Sequence, residues 1–234
     1  MRPAITYAVI FTVVLWVIHS AAQLFGLDQH VLGIRPMQLD GLLGVLTGSL
    51  VHGSYEHLFN NTLSILILLS MLWYGYPNSR VKVLATIWIL SGIGVWFFAR
   101  EATHLGASGL THGLFFFLFT VSIFRRDKRS VALMMIAFFM YGGMVMTIFP
   151  REPGISYEYH FFGGLAGVIA AIIWHKADPK LVEKKYDWEG KDYADDVEAD
   201  DQIGDAWKIE EDREGPTDAD RLNDSSIPIK FHDR

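Results

Sequence analysis

The sequence predicts an all-α, polytopic membrane protein: a bundle of six transmembrane helices followed by an acidic C-terminal tail. Three observations lead there. Hydrophobic residues make up 51% of the 234, which is high for a soluble domain of this size. Six apolar stretches recur, at 5–25, 58–74, 83–98, 105–124, 131–149 and 157–174, each near the roughly 17–25 residues that a spanning helix needs. The charge is divided as well: residues 186–234 hold 17 Asp and Glu against 6 Lys and Arg, and the remainder holds 9 against 14. The net charge of −6 therefore averages an apolar, mildly basic body and an acidic tail.

The first stretch, 5–25, is longer than the apolar region of a signal peptide and only Arg2 precedes it, so a retained anchor is expected. The long connection 26–55 contains its own apolar run, 42–51, too short to cross; a re-entrant or interfacial element is the natural form. Stretches 58–74, 83–98 and 157–174 are at the short end, and Trp73, Tyr74 and Trp174 beside them suit the membrane–water interface. The connecting loops are too short to supply the amphipathic partners that six core helices of a soluble protein would require. These stretches place a membrane domain at 1–176 and a tail at 177–234, whose acidic, aliphatic-poor composition is that of a solvated, disordered segment.

Positive charge predicts the orientation. The side holding the N-terminus collects Arg2, Arg80, Lys82, Arg125, Arg126, Lys128, Arg129, Lys176, Lys180, Lys184 and Lys185, whereas the other side collects Arg35, Arg100 and Arg151. The first side is expected to be cytoplasmic, with both termini on it. The chain has no cysteine, which removes disulfides, thiolate zinc sites and thiol nucleophiles from consideration.

Polar residues inside spans are costly and so become functional candidates. His52, His57 and Asn61 surround the start of the second stretch, Ser108 and His112 the start of the fourth, and His160 the start of the sixth. All lie at the end of their stretch away from the N-terminal side, in one layer that water can reach. His57 and Asn61 are four apart and share a helix face, while Asn60 is rotated away by about 100°. Two N–H donors so placed fit a developing oxyanion, and they fit interhelical hydrogen bonding equally well. Ser108 sits between Gly106 and Gly109 at a helix start, where unpaired N–H groups favour an anion; a serine beside glycine in a membrane helix is, by itself, more often packing. Gly109 with Gly113, and Gly163 with Gly167, form two G-x-x-x-G steps. If those faces meet, Ser108 and His160 lie at the same end of one close helix contact, where imidazole can take the hydroxyl proton and return it to a leaving amine. Glu158, two residues from His160, should point elsewhere, so a dyad is the economical arrangement.

The ordered set His52-x4-His57-x3-Asn61, Gly106-Ala107-Ser108-Gly109 and His160-x2-Gly163-x3-Gly167 resembles the rhomboid family of intramembrane serine proteases. Loop one, with Gly33-Ile34-Arg35-Pro36 and Leu39-Asp40-Gly41-Leu42-Leu43-Gly44, also looks like bacterial members. The resemblance covers roughly residues 5–175. It implies a six-helix core, Ser108 as nucleophile, His160 as base, and an oxyanion site from His57, Asn61 and the Ser108 backbone N–H. His52, His112, Gly106, Gly109, Gly163 and Gly167 are implied as supporting residues. The implied substrates are membrane-anchored proteins, in a bacterial inner membrane, cut on the extracytoplasmic side; no cofactor, metal or nucleic acid is implied, and the oligomeric state is left open. Two positions depart from the family. Many members have Tyr where this chain has His112, which could orient His160, bind water or compete as base. Loop one lacks the Trp-Arg pair of some members, so other residues must anchor it. Two other functions fit part of the pattern: a catalytically inactive relative that binds membrane clients, and a metal-dependent protein built on His52, His57, His104 and His160, although no H-E-x-x-H is present.

Overall fold

A computed structural model describes residues 2–150 and 154–180. Arg151 and the acidic tail beyond Lys180 lie outside the described residues. The chain divides into two units, Met1–Val182 and Glu183–Arg234, and the described residues all belong to the first. They form seven α-helices: α1 (Arg2–Leu24), the one-turn α2 (Gly44–Thr47), α3 (Tyr55–Gly75), α4 (Arg80–Phe98), α5 (Ser108–Arg125), α6 (Lys128–Tyr141) and α7 (Tyr157–Trp174). A 3-10 segment, Gly142–Met146, extends α6. Five helices are long and apolar enough to cross a membrane, α6 with its extension being one. The remaining long helix, α7, falls outside that set and carries Glu158 and His160 in its first turn.

Three of the helices begin where a side chain accepts from their first N–H groups. Ser54 accepts from His57 N (3.1 Å) ahead of α3, Asp127 from Ser130 N (3.1 Å) ahead of α6, and Ser156 from Tyr159 N (3.2 Å) ahead of α7. The start of α5 differs from the apolar pattern: residues 105–107 are outside the helix, because Gly106 adopts φ +110° and Ala107 is the N-cap.

The core is centred on α5, whose Leu110, Leu114, Phe117, Leu118 and Val121 are buried among Leu15 of α1, Leu58, Ile65, Leu68 and Leu72 of α3 and Ile87 of α4. α7 packs along α5 and α4. The contact with α5 is made backbone to backbone: a Cβ on Gly163 would collide with the Gly109 carbonyl, and one on Gly167 with the Gly113 carbonyl. The two glycine steps therefore face each other, as small-residue surfaces do when helix axes approach closely. Outward faces remain apolar, with Ile5, Val9, Ile10, Val13 and Val17 of α1 all exposed. Apolar exposure on this scale suits a hydrocarbon surround.

Loop one is anchored without the expected aromatic–arginine pair. Trp88 Nε1 donates to the Leu46 carbonyl (3.1 Å) and Trp96 Nε1 to the Gln38 carbonyl (3.0 Å), tying the loop to α4. Ile34 and His104 exchange two backbone hydrogen bonds, 2.8 and 2.9 Å. Gly106 N donates to the Gly48 carbonyl (2.8 Å). The apolar run 42–51 thus becomes α2 flanked by turns, laid against α4 and the segment that leads into Ser108.

Candidate active site

A cavity of about 640 Å³ opens among the starts of α3, α5 and α7. Ser108, His160, His57, Asn61 and His112 all line it, joined by Thr111, Met144 and Thr147. Three non-adjacent segments therefore converge on one cavity. Ser108 is the first residue of α5, so its N–H is among those without an intrahelical acceptor. Among the described residues no hydrogen bond joins its hydroxyl to the ring of His160.

His160 is buried, and its Nδ1 lies 3.0 Å from the Thr147 carbonyl. His112, one turn along α5 from Ser108, stacks on it with ring centroids 4.0 Å apart and planes 8° from parallel. Both nitrogens of His112 are engaged: Nδ1 with the Ser108 carbonyl (2.7 Å) and Nε2 with the Thr147 hydroxyl (2.7 Å). His112 thus lies flat on the His160 ring, its edges held on either side.

The His57 ring is placed by Gly106, where a Cβ would meet its Cε1 at 2.5 Å and its Nε2 at 2.7 Å. Asn61 uses one amide N–H on the His57 carbonyl of its own helix (2.9 Å), leaving the other N–H and the carbonyl oxygen. Asn60 departs from the expectation that it faces elsewhere: it is exposed and lines the same cavity, because the mouth is wide enough to take in adjacent positions at the α3 start.

His52 lies behind the cavity rather than on it. Fully buried, it accepts from Ala107 N at Nε2 (3.3 Å) and sets its ring against His57, centroids 5.2 Å apart. Its backbone N–H donates to Gln29 Oε1 (3.2 Å), and the Gln29 amide nitrogen meets His19 Nδ1 (2.8 Å). A polar chain therefore runs from α1 to the residue before Ser108. Gly109 and Gly163 close the α5–α7 contact beneath the site, a Cβ on Gly109 meeting the Tyr159 ring. His104 stands apart, with Nδ1 2.6 Å from Ser156 Oγ and Nε2 3.1 Å from the Arg100 carbonyl; burial lowers its pKa, against the raising effect of that carbonyl and Glu158. Glu158 turns from the cavity to Arg100, 3.3 Å away.

Thr147 is the site residue that sequence reasoning missed. A lone threonine ending an apolar run looks like packing; the available signal was its place at the same end of its stretch as Ser108 and His160.

A family model described as the Rhomboid domain matches residues 40–177. An uncharacterized protein of Mycobacterium tuberculosis is 33% identical over 172 residues, covering 70% of this chain and 72% of its own length, and one of Mycobacterium bovis matches equally. An uncharacterized protein of Mycobacterium leprae is 29% identical over 150 residues, covering 60% of this chain and 59% of its own length.

Proposed function

Since the chain belongs to the rhomboid family, we propose that it is an intramembrane serine protease in which Ser108 attacks a substrate carbonyl and His160 serves as base. The observation that carries this reading is the convergence of Ser108, His160, His57 and Asn61 on one cavity within an apolar bundle. The Ser108 hydroxyl proton passes to His160 as the oxygen adds to the carbonyl. The charge that develops on the carbonyl oxygen is met by N–H donors of His57, Asn61 and the Ser108 backbone, fixed in a low-dielectric site. His160 then returns the proton to the leaving amine, and water hydrolyses the acyl-serine by the same relay.

Its substrates are membrane-anchored proteins. A substrate helix must unwind to present an extended bond, and small or helix-breaking residues ease this because each unpaired backbone group in lipid is costly. The protein is an integral membrane protein, and we place it in a bacterial inner membrane with both termini cytoplasmic and the cavity extracytoplasmic. The test is cleavage of a tagged model membrane substrate together with labelling by a serine-directed phosphonate. Ser108→Ala should lower turnover by about 10⁴-fold or more and abolish labelling. Cleavage by that variant, or a wild-type chain that neither cuts nor labels, overturns the assignment; the second outcome favours a client-binding role.

A further inference from the structure

Two histidines at this site are stacked, both could take a proton from Ser108, and the protease reading needs only one to do so. We propose that Thr147 decides between them: its carbonyl keeps a proton on Nδ1 of His160, leaving Nε2 free as base, and its hydroxyl occupies Nε2 of His112. The inference rests on the serine-protease reading and concerns how its base is chosen.

Counting protons gives the assignment. A carbonyl oxygen can only accept, so the 3.0 Å contact between His160 Nδ1 and the Thr147 carbonyl puts the proton on Nδ1. Neutral His160 then has its lone pair on Nε2. His112 obeys the same rule at its other edge: Nδ1 is 2.7 Å from the Ser108 carbonyl and must carry the proton. Its Nε2 is left as an acceptor, and the Thr147 hydroxyl lies 2.7 Å away. That hydroxyl has one proton and a second acceptor in reach, the Met144 carbonyl at 2.9 Å. While His112 is neutral the proton serves Nε2, because a buried lone pair with no donor is the costlier omission. Were His112 to become the cation, its Nε2–H would donate to the hydroxyl and the hydroxyl to Met144.

The stack gives this choice its consequence. When His160 accepts the Ser108 proton it becomes an imidazolium whose Nδ1–H still points at the Thr147 carbonyl. A second cation 4.0 Å away would oppose that step. By donating to His112 Nε2, Thr147 fills the one lone pair through which His112 could take that proton instead. One residue thus performs two tasks: its carbonyl positions the base, where a triad uses a carboxylate, and its side chain occupies the accepting nitrogen of the competing imidazole. Thr147 is a positioning residue, acting through both rings.

The experiment combines nitrogen NMR of labelled histidines with steady-state kinetics on the full chain in lipid nanodiscs. His112 and His160 resonances are assigned by single substitutions, and spectra are also recorded in the Ser108→Ala background, where no turnover is needed. Resting His160 is expected as the Nδ1–H tautomer and His112 Nε2 as a hydrogen-bonded acceptor. T147V, which deletes the hydroxyl at nearly constant shape, should release the His112 Nε2 shift. It should lower kcat about three- to tenfold, the worth of one hydrogen bond, with KM unchanged. T147S should restore both to within about twofold. A resting His160 protonated at Nε2 overturns the proposal, as does a T147V enzyme with wild-type kcat and an unmoved His112 Nε2. Equal impairment of T147S and T147V would also overturn it, since the methyl group and not the hydroxyl would then matter. If T147V fails to fold, the tautomers of the wild type and T147S decide alone. Tautomers as expected in a chain that cleaves nothing would sink the protease reading and leave the proton assignment standing; reversed tautomers in an active enzyme would do the opposite.

Discussion

With φ at +110°, Gly106 occupies backbone space that L side chains rarely adopt, and a methyl group there would press into the His57 ring. Two separate restrictions therefore meet two residues before Ser108. We expect Gly106→Ala to strain the turn by about 1–2 kcal/mol and to push His57 out of reach of the oxyanion. Turnover should fall by about 10- to 100-fold, in line with weakening one oxyanion donor, while phosphonate labelling of Ser108 slows and the fold persists. Near-normal turnover in a folded G106A protein would show that His57 is not placed through this glycine. The sequence marked Gly106 as a turn glycine before the serine and, through the resemblance, as a supporting residue. Its left-handed conformation and the ring pressed against it depend on where α3 lies, and no local pattern contains that.

At the scale of elements, the turn between α5 and α6 shows how helix ends are fixed on the N-terminal side of the bundle. Arg125, 2% exposed, donates Nε to Asp127 (2.8 Å), and its Nη1 reaches the His175 (2.9 Å) and Asp178 (2.8 Å) carbonyls beyond α7. Burial alone would raise the Asp127 pKa, but hydrogen bonds from Ser130 and the Arg125 guanidinium outweigh it and hold the carboxyl below its usual value. The sign follows from that depression. A carboxylate with a lowered folded-state pKa adds stability above its unfolded value of about 3.9, and the gain disappears as pH falls through the folded value. Asp127→Ala leaves Arg125 buried without its carboxylate, a loss of about 3–5 kcal/mol near pH 7. Thermal melts in detergent should show the gap to wild type narrowing below about pH 4. A gap constant from pH 7 to 3 would mean that Asp127 acts by shape and not by charge. The basic residues of this turn were legible as an orientation signal. That one of them is a buried clasp for the end of α7 was not, because the partners are about 50 residues away in the chain.

For the whole molecule, the absence of cysteine offers a clean test of topology, since any cysteine introduced is unique. Single cysteines at Arg126 or Lys176 should react with an impermeant maleimide only after the cells are opened. Single cysteines at Asp28 or Thr103 should react from outside in intact cells, following the placement of positive charge. The reverse pattern would invert the proposed orientation and turn the cavity to the cytoplasm. Sequence alone determined the apolar stretches, the helical fold class and the polar residues gathered at one depth, because hydropathy and residue spacing are local properties that lipid enforces on each segment. It also placed two glycine steps that could meet. Tertiary structure alone decided that they do meet, that Asn60 shares the cavity, and that Thr147 bridges the edges of two stacked imidazoles. Those facts depend on the relative placement of α3, α5, α7 and the end of α6, and helix placement is set by side-chain packing between segments far apart in the chain.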